Sequence, residues 1–180
     1  MPKANQEYNY VELANVDASG GITGCTNDFG YNLPSRARRR IKNSDIIISS
    51  IEGSLQSCAL INLEYDNALC STGFYVLKSE KINSETLLVL FKSPIMQLLL
   101  KQNCSGTILT SINRIDLDNI VLPLIDLKKQ QQIAQFIQQS FSLKKQSQQL
   151  LQTAKQAVEK AIEEGEEAAM ESLKGFELKY

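Results

Sequence analysis

The feature that most constrains the fold of this 180-residue chain is its periodic C-terminal third. From Lys128 onward the chain is built of Gln, Lys, Glu, Ala and Leu, with no Pro and with no Gly before Gly165. Eleven glutamines fall between Gln130 and Gln156, a density that would fit polar disorder were the apolar residues not regularly spaced. Ile133, Phe136, Ser140, Leu143, Ser147, Leu150, Ala154, Ala157 and Ala161 recur at intervals of three and four, the a and d positions of a heptad. A second stripe, Ile137, Phe141, Leu151, Val158 and Ile162, makes the apolar face wider than a two-stranded zipper requires. The pattern predicts one helix over residues 127–173, capped by Asp126 and roughly 70 Å long at the α-helical rise. Such a helix outreaches a domain built from residues 1–125, so part of its face must meet another helix. Ala154, Ala157, Ala161, Ala168 and Ala169 allow close backbone approach. Glu163, Glu164, Glu166, Glu167 and Glu171 read as a solvated face, and Gly165 weakens the helix there.

The composition breaks near Pro123. The chain therefore divides into a globular part, residues 1–125, a helix over 126–174 and a tail, 175–180. The first part reads as α+β, with strands mainly before Ser79 and helices after, and without regular β-α-β alternation. Strands are expected at 10–14, 45–50, 58–63, 73–77 and 120–122, with 45–63 forming a hairpin. Residues 17–34 read as turns. Ser84 is expected to cap a helix over 85–92, Pro94 to open a second helix to about 101, and 116–119 to make a helical turn. Residues 106–110 read as a polar loop into a short strand.

Several function classes drop out. There is no His, hence no Ser-His or Cys-His nucleophile pair, and Cys25, Cys58, Cys70 and Cys104 lie far apart with no C-x-x-C. No metal site, disulfide framework or cofactor is expected. Nucleotide-binding glycine fingerprints, H-E-x-x-H and the adenine-methylase [N/D]-P-P-[Y/F/W] tetrapeptide are all missing. The chain reads as non-catalytic. It has no apolar run of membrane-spanning length and no secretory N-terminus, so a cytoplasmic protein is expected. The formal net charge of −1 rules out a protein that coats nucleic acid through overall basicity, but not a local patch.

Such a patch exists. Five of the seven residues from Arg36 to Lys42 are basic, while the rest of the chain is acidic on balance. Guanidinium groups fork onto phosphate oxygens or the O6 and N7 edge of guanine. Equally, these arginines could form a solvated loop paired with Glu12, Asp28 or Asp45. Ser54, Gln56 and Ser57, and Ser105, Thr107, Thr110 and Ser111, lie near other turns and could extend a polar surface or serve turn chemistry alone.

Four segments occur in order: PSRARRRIKNSDIIIS, STGFYVL, a Gly-Thr loop, and LDNIVLPLIDLKKQQQIAQFI. Over residues 8–173 this series resembles the specificity subunit of type I restriction–modification systems, and the related C-terminal region of fused restriction–methylation enzymes. The family's pattern is roughly I-P-L-P-x-L-x-E-Q-x-x-I. Pro123, Leu124 and Leu127 match parts of it, and Gln130 and Ile133 keep the Q-x-x-I spacing. Asp126 stands where a second Pro is common, and Lys129 where Glu is common.

The resemblance implies a target-recognition domain, residues 1–125, followed by a spacer helix, together reading half of a split site on double-stranded DNA. It implies a methylase partner using S-adenosylmethionine and a restriction–translocase partner using ATP and Mg. Arg36, Arg38 and Arg39 are expected to face DNA with Ser35 orienting them, joined by Ser54, Gln56, Thr107, Thr110 and Ser111. Arg40 and Lys42 are expected in ion pairs. A full subunit has two recognition domains and two helix regions, and this chain has one of each. A homodimer is therefore expected, antiparallel through Ile133, Phe136, Phe141, Leu143, Leu150, Leu151, Ala154, Ala157 and Ala161. The alternative reading is a structural or regulatory coiled-coil module that binds protein without DNA.

Overall fold

Three consecutive isoleucines, Ile46 to Ile48, make the most buried strand of the protein. A continuous β-branched run suits a strand covered on both faces. It forms β4 (Ile46–Ser49), every residue of which is buried. In the computed structural model, which describes residues 2–173, β4 is the centre of a three-stranded antiparallel sheet. Its neighbours are β5 (Cys58–Leu60) and β7 (Phe74–Leu77), as the hairpin pattern predicts for 45–63. The expected tail, residues 175–180, lies outside the described residues. The chain forms two compact units, Met1–Gln135 and Phe136–Tyr180.

A second sheet in the first unit is mixed. Its order is β2-β1-β6-β3, with β1 (Glu7–Val11), β2 (Thr26–Phe29), β3 (Ala37–Arg40) and β6 (Leu69–Ser71). β1 pairs antiparallel with β2 and parallel with β6, and β3 closes the far edge antiparallel to β6. This corrects three expectations. β1 starts at Glu7, and residues 13–15 form a 3-10 turn instead of extending the strand. Part of the turn-rich 17–34 segment is a strand, and so is part of the basic run. β2 (TNDF) is a polar edge strand, so no apolar alternation announced it. One core cluster gathers Val11, Ile41, Ile47, Ala59, Ile61, Cys70 and Phe74 from both sheets.

Helix α1 (Ser84–Lys92) packs on β4 and β5, and α2 (Pro94–Gln102) follows at once. The cap of α1 is Asn83, not Ser84, because the Asn83 side chain accepts from Thr86 N at the third helical position. Ser84 is already helical, and its hydroxyl donates to Ser44 O. Ser93 ends α1 and caps α2, held extended by the following Pro94. Gly20 is required where the 17–21 turn meets α1: its φ is +91°, and a Cβ would stand 2.8 Å from a Leu88 methyl. A small hairpin, β8 (Cys104–Ser105) with β9 (Ser111–Ile112), precedes α3 (Arg114–Asp118). No strand forms at 120–122. The segment before Pro123 finds no partner strand, and Ile120 N bonds only back to Leu117 O.

Helix α4 (Leu127–Glu164) begins inside the first unit, where Asp126 accepts from Lys129 N. Gln130 is 3% exposed, and both ends of its side-chain amide are bonded. Its Nε2 donates to Lys81 O at 3.0 Å and Ile125 O at 2.7 Å, and its Oε1 accepts from Asn83 N at 2.8 Å. Asn83 Nδ2 donates to the Gln130 carbonyl in return. The start of α4 is thereby clasped to the cap of α1.

In the second unit the predicted single helix is interrupted. Gly165, at φ +97°, ends α4, and α5 (Glu166–Leu173) follows. Phe136 is 71% exposed, and Leu143, Leu150, Leu151, Val158 and Ile162 are exposed as well. Ile137, Phe141 and Ala161 are half-buried, Ala154 is exposed and Ala157 is buried. Among the described residues no helix is long and apolar enough to cross a membrane.

The thiols follow the core. Burial pushes Cys70 up to about 12 and Cys58 up to about 11, and also raises half-buried Cys25 and Cys104. Iodoacetamide at mildly alkaline pH should therefore label native protein at Cys25 and Cys104, sparing Cys58 and Cys70 until denaturant is added. Peptide mapping showing four equal rates would contradict this packing. The neutral thiols' contribution to stability is intact below the ordinary value of 9.0 and is lost as pH climbs toward 11 and 12.

Candidate nucleic-acid interface

Most of the basic run is an edge strand rather than a loop, and strand alternation together with a register shift decides which arginines reach solvent. Ala37 points inward, against Tyr8, Tyr10, Leu33 and Leu69. Arg36, Arg38 and Arg40 point outward and are exposed. Arg38 Nε donates to the Ser35 carbonyl, so Ser35 engages the run through its backbone. Arg40 lies over the Tyr8 ring, 5.9 Å from its centroid, and reaches Asn67 O.

Arg39 departs from the expectation. It is half-buried, donates to the carbonyl of Phe74, and sits 5.0 Å from the Tyr75 ring centroid. It therefore ties the edge strand β3 to β7 of the other sheet, and does not face outward with its neighbours. The β3–β6 register shifts between Ala37 and Arg39, which is where the inward turn occurs. Its charge also works against the burial that raises the Cys70 thiol.

Among the described residues the ion pairs are Lys101–Glu52, Arg114–Asp118 and Lys129–Asp126, and none includes a residue of the basic run. The ion pairs expected for Arg40 and Lys42 do not form. The nearby carboxylates are committed elsewhere: Asp45 accepts from the Lys42 backbone N, and Asp28 from Phe29 N and the Asn32 side chain. Among the described residues no ion pair neutralises the charge of the strand.

Main-chain bonds bring the other candidate segments to the same end of the domain. Thr72 N donates to Arg36 O, Ser50 N to Gly73 O, Ile112 N to Ser50 O, and Glu52 N to Thr110 O. Ile51 also bridges to Ser111. The basic strand, the Thr72-Gly73 turn, the 50–54 turn and the β8–β9 hairpin thus form one continuous series. Thr110 and Ser111 are half-buried within it, and Thr107 stands exposed at the hairpin loop. Ser54 is turned in, its hydroxyl 2.8 Å from that of Ser49. Gln56 is exposed, and its carbonyl receives Lys92 Nζ.

Sequence reasoning missed three residues of this end. Ile108, beside Thr107, is 99% exposed. Tyr75 read only as part of the strand over 73–77, and Arg114 was not singled out. Nothing in their local pattern marked them. Among the described residues no three His, Cys, Asp or Glu side chains gather as for a metal ion.

A family model described as the type I restriction modification DNA specificity domain matches residues 9–156, most of the chain. The chain belongs to that family. It is a DNA specificity domain, a recognition part and not a catalytic one, and the alternative of a coiled-coil module without DNA binding is not favoured. A chain from a structural study of complex assembly and conformational transition of the type I R-M system has the same fold as this specificity domain. The TM-score is 0.67 at 24% identity, over 88% of this chain and 41% of that one. The HsdS subunit from Thermoanaerobacter tengcongensis superposes with a TM-score of 0.66 at 24% identity, over the same shares of the two chains. The specificity domain thus spans 41% of the length of either solved chain. No protein of curated function matches it.

Proposed function

We propose that this specificity domain reads one half of a bipartite site on double-stranded DNA and works in the cytoplasm as the targeting part of a type I restriction–modification assembly. A methylase partner brings S-adenosylmethionine, and a restriction–translocase partner brings ATP and Mg. The observation that carries the reading is the exposed row of Arg36, Arg38 and Arg40 at and just before the edge strand β3, outside the described ion pairs and joined by main-chain bonds to the polar Thr110–Ser111 hairpin. Arg36 and Arg38 contact phosphate or guanine, and Thr107, Thr110, Ser111 and Gln56 border them. Arg39 and Ser54 support this surface from behind.

The second part of the proposal is assembly. The broad apolar face of α4 is exposed at Phe136, Leu143, Leu150 and Leu151, and water is an unfavourable neighbour for side chains of that size. A second copy, antiparallel and related by a two-fold axis, covers this face and places one recognition unit at each end.

Binding of a random-sequence duplex across a salt series tests the first part. Counterion release makes the logarithm of affinity fall linearly with that of salt. R36A and R38A should each flatten that line by about 1 if the residue meets a phosphate, or cost about 1–3 kcal/mol at one base position if it meets a guanine. If the double variant binds as the parent does at every salt concentration, this surface is not the interface.

A further inference from the structure

We propose that Arg114 is a second phosphate-binding residue of this domain, apart from the basic strand, held ready by the Arg39–Tyr75 stack and masked by Asp118. The inference rests on the DNA-binding reading above and extends it to a part of the chain with no basic cluster in its sequence.

Tyr75 is the fixed point. Its ring is 9% exposed, and its hydroxyl donates to Ile112 O at 3.1 Å, which anchors it to β9. Two guanidiniums lie on this one ring: Arg39 at 5.0 Å and Arg114 at 5.9 Å from the centroid. The aromatic face attracts each cation, so both side chains are partly ordered before any ligand arrives. Their like charges repel, however, and the described ion pairs give this cluster a single carboxylate, that of Asp118. A site with two cations on one ring and one acidic neighbour is short of negative charge.

The Arg114–Asp118 pair is easily exchanged. Nε of Arg114 meets Asp118 Oδ2 at 2.8 Å, with the side chains 61% and 55% exposed. A pair so open to water is weakly held. The bond to Asp118 runs through Nε, and the terminal N–H groups of a guanidinium are of the kind that fork onto a phosphate. The position also fits. Arg114 opens α3 one residue past β9, whose Ile112 N bonds Ser50 O within the series leading to the basic strand. The Asn113 side chain accepts from Asp116 N at 2.9 Å and fixes the backbone where Arg114 emerges. Arg39, turned away from solvent, is then a positioning residue: it orients the ring that carries Arg114.

The test is anisotropy of a labelled random-sequence duplex with the full chain over a salt series. R114A should weaken binding and reduce the salt slope by about 1, and R114K, which keeps the charge, should retain most of the slope. D118N should tighten binding about threefold by freeing the guanidinium, and that gain should shrink in the R114A background. A purely structural pair would instead show D118N and R114A with altered melting and unaltered slope. If the parent binds duplex in a salt-dependent way, R36A and R38A lower the slope, and R114A leaves it unchanged, the proposal is overturned and the DNA reading stands. If the parent shows no salt-dependent binding, the underlying reading fails and this proposal with it.

Discussion

Leu150→Glu is expected to turn a self-associated protein into a monomer whose first unit still folds. Leu150 occupies a d position in the middle of the α4 stripe and is exposed in the single chain. The alanines of the stripe bury little area each, so Phe136, Phe141, Leu143, Leu150 and Leu151 must supply most of the association at ~25 cal/mol per Å² of apolar surface. In a two-fold pair each substitution acts twice. Losing two leucine contacts of about 2 kcal/mol each corresponds to roughly a thousandfold weaker association. Burying two carboxylates weakens it further. Sedimentation at micromolar concentration reads the outcome directly. A parent chain that sediments as a monomer, or a variant that still pairs, would refute the helix-mediated dimer. Since both halves of such a dimer are identical, the recognised site should be a split palindrome. Methylation mapping with and without the gene shows whether it is.

Gln130→Leu should be the most damaging single substitution outside the isoleucine core. The side-chain volume is nearly kept, so the loss comes from hydrogen bonds. Asn83 N, Lys81 O and Ile125 O all lose their Gln130 side-chain partner in a site where that residue is 3% exposed. An unsatisfied buried polar group costs about 1–3 kcal/mol; Lys81 is exposed and Ile125 half-buried, so water recovers part of the loss and the total stays toward the low end of the sum, near ~3–5 kcal/mol, a large fraction of a small domain's stability. Urea unfolding should show the midpoint falling with little change in slope. Gln130→Glu separates hydrogen bonding from packing. Its carboxylate can still accept from Asn83 N, but it can donate to a carbonyl only when protonated. Burial raises its folded-state pKa, so the variant should be most stable at low pH and lose that stability as pH rises through the raised value. A loss under 1 kcal/mol for Gln130→Leu, or no pH dependence for Gln130→Glu, would show that the clasp contributes little.

Helical and turn-bounded features were legible because they are encoded locally. The three-four spacing from Ile133 to Ala161 specifies a helix wherever it is placed, and Pro94 can open a helix but not continue one. The β-branched run of β4 declared itself in the same way, together with its return strand β5. The family resemblance too was carried by the order of short local segments.

The tertiary structure decided what depends on partners distant in sequence. β2 and β3 are polar edge strands whose existence follows from pairing with β1 and β6, not from their own composition. Which arginine of the basic run faces outward depends on the β3–β6 register, and the shift between Ala37 and Arg39 turned one candidate contact into a support. Gln130 is one of eleven similar glutamines in sequence, and only the cap of α1 beside it makes it a buried clasp. Arg114 gains meaning from Tyr75 alone. Local periodicity determined the helices and the central hairpin because backbone geometry repeats every few residues. The binding surface needed the fold, because a side chain's charge matters only through the neighbours that long-range pairing brings to it.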